Sequence, residues 1–160
     1  MTEGSAVVEE LREFIGITTE PVVNEIERGA IRRYAEAVGD PNPLYSDVEY
    51  ARNCKYGELI CPPGFFGWPR KVSSGAMETI GPMFGPLFKA GLFRIFEAGR
   101  EYEFLLPVRA GDTLTWYWKF VNVSEREGRS GKMVFLTWEI TYINQNGDLV
   151  AKSRPTYIAR

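Results

Sequence analysis

From Gly99 onward the apolar residues recur at every second position, and no other feature restricts the fold of this chain as much. Arg100-Glu101-Tyr102-Glu103-Phe104 alternates. In residues 112–123, Leu114, Trp116, Trp118 and Phe120 share a side, and in residues 132–143 so do Val134, Leu136, Trp138, Ile140 and Tyr142. Period two sends successive side chains to opposite faces of a strand. Aromatic and β-branched residues suit such a pleated, half-buried surface. Gly128-Arg129-Ser130-Gly131 and Asn146-Gly147 read as turns between strands, and residues 149–157 as a last strand. The expected C-terminal half is an antiparallel meander with one strongly aromatic face. That face needs a cover.

The N-terminal half supplies helices. Residues 7–14 place Val7, Val8, Leu11 and Phe14 on one side of a short amphipathic helix. Pro21-Val22-Val23 starts a short strand or an extended lead-in. Residues 27–38 are the clearest helix, with Ile31, Tyr34, Ala35 and Val38 at helical spacing and Arg32, Arg33 and Glu36 facing outward. Gly39 offers a left-handed stop. Asp40-Pro41-Asn42-Pro43 is then a stiff turn, because each proline fixes its own φ and restricts the residue before it. Ser46 is the expected N-cap of a second short helix, with Glu49 three residues on. Asp47 and Glu49 read as charges at a helix N-terminus. The stretch 56–96 is apolar, glycine-rich and broken by prolines. Within it, Cys61-Pro62-Pro63-Gly64-Phe65-Phe66-Gly67-Trp68-Pro69 starts a helix that Pro69 ends. Residues 81–88 read as a greasy loop that either folds back on its own sheet or lines a pocket or meets a partner. Helices followed by antiparallel strands make an α+β fold. With no linker or repeat, residues 1–160 form one domain.

Charge and composition narrow the function. The 19 basic and 21 acidic residues give a net charge of −2 with no basic stripe, so nucleic acid is not an expected partner. No apolar run is long enough to span a membrane. Met1-Thr2-Glu3-Gly4-Ser5 lacks the basic and apolar regions of a signal peptide, so a cytoplasmic protein is expected. Cys54 and Cys61 do not have metal-ligand spacing and read as ordinary thiols. The 160 residues contain no histidine. Ser-His-Asp and Cys-His nucleophiles therefore cannot be assembled within them. Acid–base work must use a perturbed carboxylate, lysine, tyrosine or cysteine, or a histidine from another subunit. Trp116, Trp118 and Trp138 read as core or interface, because a base-stacking platform would also need a basic groove.

The order helix, Gly39-Asp40-Pro41-Asn42-Pro43-Leu44-Tyr45-Ser46-Asp47, glycine- and proline-rich middle, then sheet resembles the MaoC-like hydratase/dehydratase family. The similarity is closest to its N-terminal, FAS-like dehydratase branch. Gly111-Asp112-Thr113-Leu114, Arg129-Ser130-Gly131-Lys132-Met133-Val134-Phe135 and Asn146-Gly147-Asp148-Leu149-Val150-Ala151-Lys152-Ser153 fit that branch. The resemblance implies a hot-dog fold, a curved antiparallel sheet wrapped around a central helix. It implies edge-to-edge pairing of two such domains and a thioester of CoA or acyl carrier protein at their interface. It also implies an aspartate and a histidine, five residues apart, that add water to a trans-2-enoyl thioester. No cofactor or metal is implied. Carried over, Asp40 matches the aspartate, Asn42 and Pro43 match the loop, and Tyr45 stands in the histidine's place. Gly64 is the candidate oxyanion donor, as the first residue after Pro62 and Pro63 with an N–H. Phe65 and Phe66 are candidate substrate contacts.

Tyr45 decides the expected function. A phenol with pKa near 10 donates a hydrogen bond at neutral pH but is a poor base. Asp40 is thus half of an acid–base pair, or a turn residue closing on its own backbone. Hydratases of the resembling type include heterodimers whose degenerate subunit binds the acyl group. In the steroid type its central helix is cut short, and Pro69 and the glycines after it are compatible with that. The leading expectation is the non-catalytic, acyl-thioester-binding subunit of an enoyl-CoA hydratase, partnered by a histidine-bearing hot-dog chain. A self-sufficient thioesterase using Asp40 is one alternative. The other is a binding or scaffold module for an acyl thioester or a thiolase.

Overall fold

The structure, a computed structural model, describes residues 5–65, 74–128 and 131–160. Helix α1 (Ala6–Arg12) leads by an extended segment to strand β1 (Val22–Glu25) and helix α2 (Arg28–Val38). A 3-10 turn (Pro43–Tyr45) and helix α3 (Val48–Asn53) follow. Helix α4 (Ser74–Ile80), a 3-10 turn (Gly81–Met83) and helix α5 (Phe84–Lys89) precede strands β2 (Ile95–Phe104), β3 (Thr113–Gly128), β4 (Gly131–Ile143) and β5 (Leu149–Ala159).

The period-two pattern is realised in β3 and β4. Leu114, Trp116 and Phe120 are buried on the face where Val134, Leu136, Trp138, Ile140 and Tyr142 also lie. The helices bury their apolar sides there. Ile31 and Ala35 of α2 pack with Leu114, Trp116 and Ile140. Val8 and Leu11 of α1 and Leu87 of α5 pack with Phe120, Leu136 and Trp138. The core therefore has two lobes along the sheet, with Trp118 against both. On the opposite face both Lys152 and Arg154 pair with Glu139.

The expected meander holds for β3, β4 and β5 but not for β2. The strand order is β1-β3-β4-β5-β2, all antiparallel. β1 occupies the free edge of β3, with Val22 opposite Trp116. β2 pairs with β5 at the far edge, and the chain crosses the end of the sheet through Leu105 and Leu106, whose N–H groups donate to Val150 O. β2 also carries an unforeseen bulge between Glu97 and Gly99. Two further readings are corrected. Residues 81–88 are helical rather than a loop, since Pro82 and Pro86 fall in first turns where a missing N–H costs little. The N-cap of α3 is Asp47, not Ser46. Asp47 Oδ1 accepts from Glu49 N and Tyr50 N at 2.9 and 3.0 Å. Asp47→Ala should lower stability by about 1 kcal/mol, while Ser46→Ala stays within about 0.5 kcal/mol. Denaturant titration of both variants separates the two assignments. The proposed break at Pro69 lies outside the described residues.

Candidate functional site

Helix α2 ends as its sequence demands. Gly39 adopts φ 71° and donates to Glu36 O, and Asp40 N donates to Ala35 O at 2.9 Å. Asp40 is exposed, and its Oδ1 accepts from Asn42 N at 3.0 Å. Asn42 Oδ1 in turn accepts from Leu44 N at 3.1 Å and caps the 3-10 turn, with Pro43 at its first position. Asp40 and Asn42 thus both perform turn duty, which holds the loop stiff. Tyr45 points inward and is buried with Ile31, Ala35 and Leu59. Burial raises the pKa of its phenol, and the charges of Asp40 and then Tyr56 add to the rise. Asp40 and Tyr45 therefore sit close enough to sense each other. Among the described residues no hydrogen bond joins them. A phenol held above its ordinary value is still less able to take a proton from water at neutral pH.

Gly64 lies beside Tyr34 of α2. It has φ +91°, and a Cβ there would stand 2.6 Å from the Tyr34 hydroxyl. Both the backbone and the space require glycine. Gly64→Ala should cost about 2–4 kcal/mol in a denaturant titration, more than Gly39→Ala, which has positive φ but open space. Equal losses would show that the Tyr34 contact has no weight. Phe65 packs into the core edge-on to Tyr34, with ring centres 5.7 Å apart. Phe66 lies outside the described residues.

Periodicity does not reveal the other part of the site. Between the sheet and helices α4 and α5 lies a cavity of about 310 Å³. Trp116, Trp118, Trp138 and Leu136 form its sheet wall, and Ile80 and Met83 are among the helical residues opposite. Thr19 and Tyr157 bring hydroxyls, but among the described residues no carboxylate, ammonium or guanidinium lines it. Walls of this kind favour an apolar guest. The tryptophans, which read as core or interface, also form its walls, and Met83, Phe84 and Leu87 bear out the pocket-lining alternative for residues 81–88. Trp116 joins the two parts, since it packs in the lobe that holds Tyr45 and also lines the cavity. The strands could be read from sequence, but a cavity arises only when non-adjacent elements fail to meet.

The thiols Cys54 and Cys61 are both free. Burial, with Asp112 adding to it, pushes the Cys61 thiol far above its ordinary value. Cys61 and Tyr45 both hold protons more tightly folded than unfolded. Their stabilisation is complete below the ordinary values of 9.0 and 10.0 and is lost as pH rises through the higher folded values. The denaturation midpoint should therefore fall in alkaline buffer, and Tyr45→Phe should remove part of that fall. A flat profile between neutral pH and about pH 11 would contradict the burial of both groups.

The comparisons with known proteins agree with this architecture. The FAS1-like, dehydratase domain region matches residues 13–153. A UPF0336 protein of Streptomyces avermitilis is 37% identical over 92 residues, 57% of each chain, and one of Thermobifida fusca is 28% identical over 151 residues, 93% of each. A probable enoyl-CoA hydratase alpha subunit of Thermomonospora curvata is 28% identical over 135 residues, which span 78% of this chain but only 41% of that protein. Among solved structures, the ChsH1-ChsH2 complex from Mycobacterium tuberculosis aligns with a TM-score of 0.78 at 18% identity, covering 95% of this chain and 92% of that one. A MaoC-like dehydratase aligns with a TM-score of 0.72 at 22% identity over 93% of this chain and 43% of its own. No helix among the described residues is long and apolar enough to cross a membrane. With a family match across most of its length and an antiparallel sheet covered by helices as in the MaoC-like hot-dog folds, the chain belongs to the FAS1-like dehydratase domain family.

Proposed function

We propose that this chain is the non-catalytic, acyl-thioester-binding subunit of a MaoC-like enoyl-CoA hydratase/3-hydroxyacyl dehydratase, and that a histidine-bearing hot-dog partner supplies the acid–base pair. One observation carries the reading. The position five residues after Asp40 holds a buried phenol instead of an imidazole, in a chain without histidine, and the lobe around it shares Trp116 with an apolar cavity. Hydration of an enoyl thioester needs a base for the water proton and an acid for Cα. Asp40 is exposed and tied to Asn42, and Tyr45 is a weak base, so neither can do both. The cavity is suited to the apolar part of an acyl group. Relatives support a paired arrangement. The ChsH1-ChsH2 and HadBC structures are complexes, the latter a 3R-hydroxyacyl-ACP dehydratase, and the Thermomonospora relative is named an alpha subunit. The thioester arrives on CoA or on acyl carrier protein. The site residues in this reading are Asp40, Asn42, Pro43, Tyr45, Gly64, Phe65 and Phe66, with the cavity as the acyl end.

The test is coexpression with a hot-dog chain that carries the Asp-x-Asn-Pro-x-His loop, followed by assay of enoyl-CoA hydration by each chain alone and by the pair. Activity only in the pair is expected. Release of free CoA from saturated acyl-CoA by this chain alone, lost in Asp40→Ala, would replace the proposal with a thioesterase. Tight acyl-CoA binding with no turnover in any pairing would leave a binding module.

A further inference from the structure

The bulge in β2 shifts the strand's parity. Ile95, Glu97, Arg100, Tyr102 and Phe104 therefore stand opposite Ala159, Tyr157, Pro155, Ser153 and Ala151 of β5. Directly opposed residues share a face, so Arg100 is turned to the helix-covered side despite lying on an edge strand. Its side chain is only 9% exposed. Arg100 Nε and Nη2 donate to the two carboxylate oxygens of Glu97 at 2.8 and 2.7 Å. The Tyr157 hydroxyl also donates to Glu97, at 3.1 Å. Nη1 of Arg100 is buried and has no hydrogen-bond partner among the described residues. A buried guanidinium donor without an acceptor is costly, and such an orphan marks a place for a ligand or water.

The position of this orphan is informative. Tyr102 packs in the lobe that contains Tyr45, whereas Ile95 and Tyr157 belong to the lobe with the cavity and line it. Arg100 lies between them along the strand. In the acyl-binding reading, a ligand with its thioester near the Asp40 loop and its tail in the cavity spans these two lobes. Glu97 already balances the charge of Arg100 through a bidentate pair, so the remaining donor suits a neutral oxygen better than a second carboxylate.

Resting on the acyl-binding reading above, we infer that Arg100 Nη1 is a binding group for a neutral oxygen at the head of the acyl ligand, the thioester carbonyl or a 3-hydroxyl. The test compares octanoyl-CoA with S-octyl-CoA, a thioether that keeps the chain and the CoA but lacks the carbonyl. 3-Hydroxyoctanoyl-CoA is the third ligand and separates the two oxygens. Titration of the full chain should show an oxygen-bearing ligand binding about tenfold tighter than S-octyl-CoA, the weight of one hydrogen bond from a charged donor. In Arg100→Lys, which keeps a cation for Glu97 but has no separate nitrogen at the Nη1 position, this preference should vanish while S-octyl-CoA binds as before. The double variant Glu97→Gln/Arg100→Met removes the whole pair, leaves no lone buried charge, and should behave likewise. If wild type binds all three ligands equally, or if both variants keep the preference, the orphan is filled by water and the assignment to Arg100 fails alone. If no CoA ligand binds wild type, the acyl-binding reading fails and takes this inference with it.

Discussion

Purified alone, this chain should hydrate crotonyl-CoA or longer trans-2-enoyl-CoAs about 10²–10⁴-fold more slowly than the same chain paired with a histidine-bearing hot-dog subunit. That range is the usual contribution of a positioned acid–base group. Here the group is missing for a chemical reason. Imidazole gives and takes protons near neutrality. The Tyr45 phenol starts near 10, and its burial and the neighbouring Asp40 push it higher. It therefore stays protonated through the working range and offers only a donor. Tyr45→Phe in the assembled pair should accordingly change turnover by less than about twofold, whereas loss of the partner's histidine should abolish it. Turnover by the lone chain at the rate of the pair, or a tenfold loss on Tyr45→Phe, would remove the basis of the proposal.

Met83→Trp should weaken octanoyl-CoA binding by about 100-fold while leaving crotonyl-CoA turnover by the pair almost unchanged. Met83 is 2% exposed and faces the cavity from the 3-10 turn before α5. An indole there projects into the space of about 310 Å³. A chain loses about 0.8 kcal/mol for each methylene it can no longer bury, so the loss of about four reaches two orders of magnitude. A four-carbon acyl group carries too little chain to miss the cavity. Overpacking elsewhere in a core costs about 1–3 kcal/mol, but free volume receives this side chain, so the denaturation midpoint should move little. Equal binding of octanoyl-CoA by the variant and wild type would show that the acyl chain goes elsewhere.

Much of the fold was legible because periodicity is local. Alternation in β3 and β4 placed Trp116, Phe120, Trp138 and Tyr142 on the buried face. The helical spacing of Ile31 and Ala35 and the stop at Gly39 carried α2 to within a residue of its observed ends. The helix at residues 81–88 was missed because prolines and glycines suggested a loop, while Pro82 and Pro86 occupy the first turns that tolerate them. Asp47 displaced Ser46 as a cap because either side chain can accept from the first turn, and only the backbone decides which one is placed to do so.

For the site, sequence alone determined the stiff Asp40 loop, the absent imidazole and the aromatic stripe. These depend on residue identity and short-range stereochemistry. Tertiary structure decided that β2 joins β5 across the sheet, that its bulge turns Arg100 inward, and that the tryptophan wall and helices α4 and α5 stand apart far enough to leave a cavity. Those outcomes depend on which distant edges pair and how closely opposed surfaces approach, and the alternation of a single strand records neither.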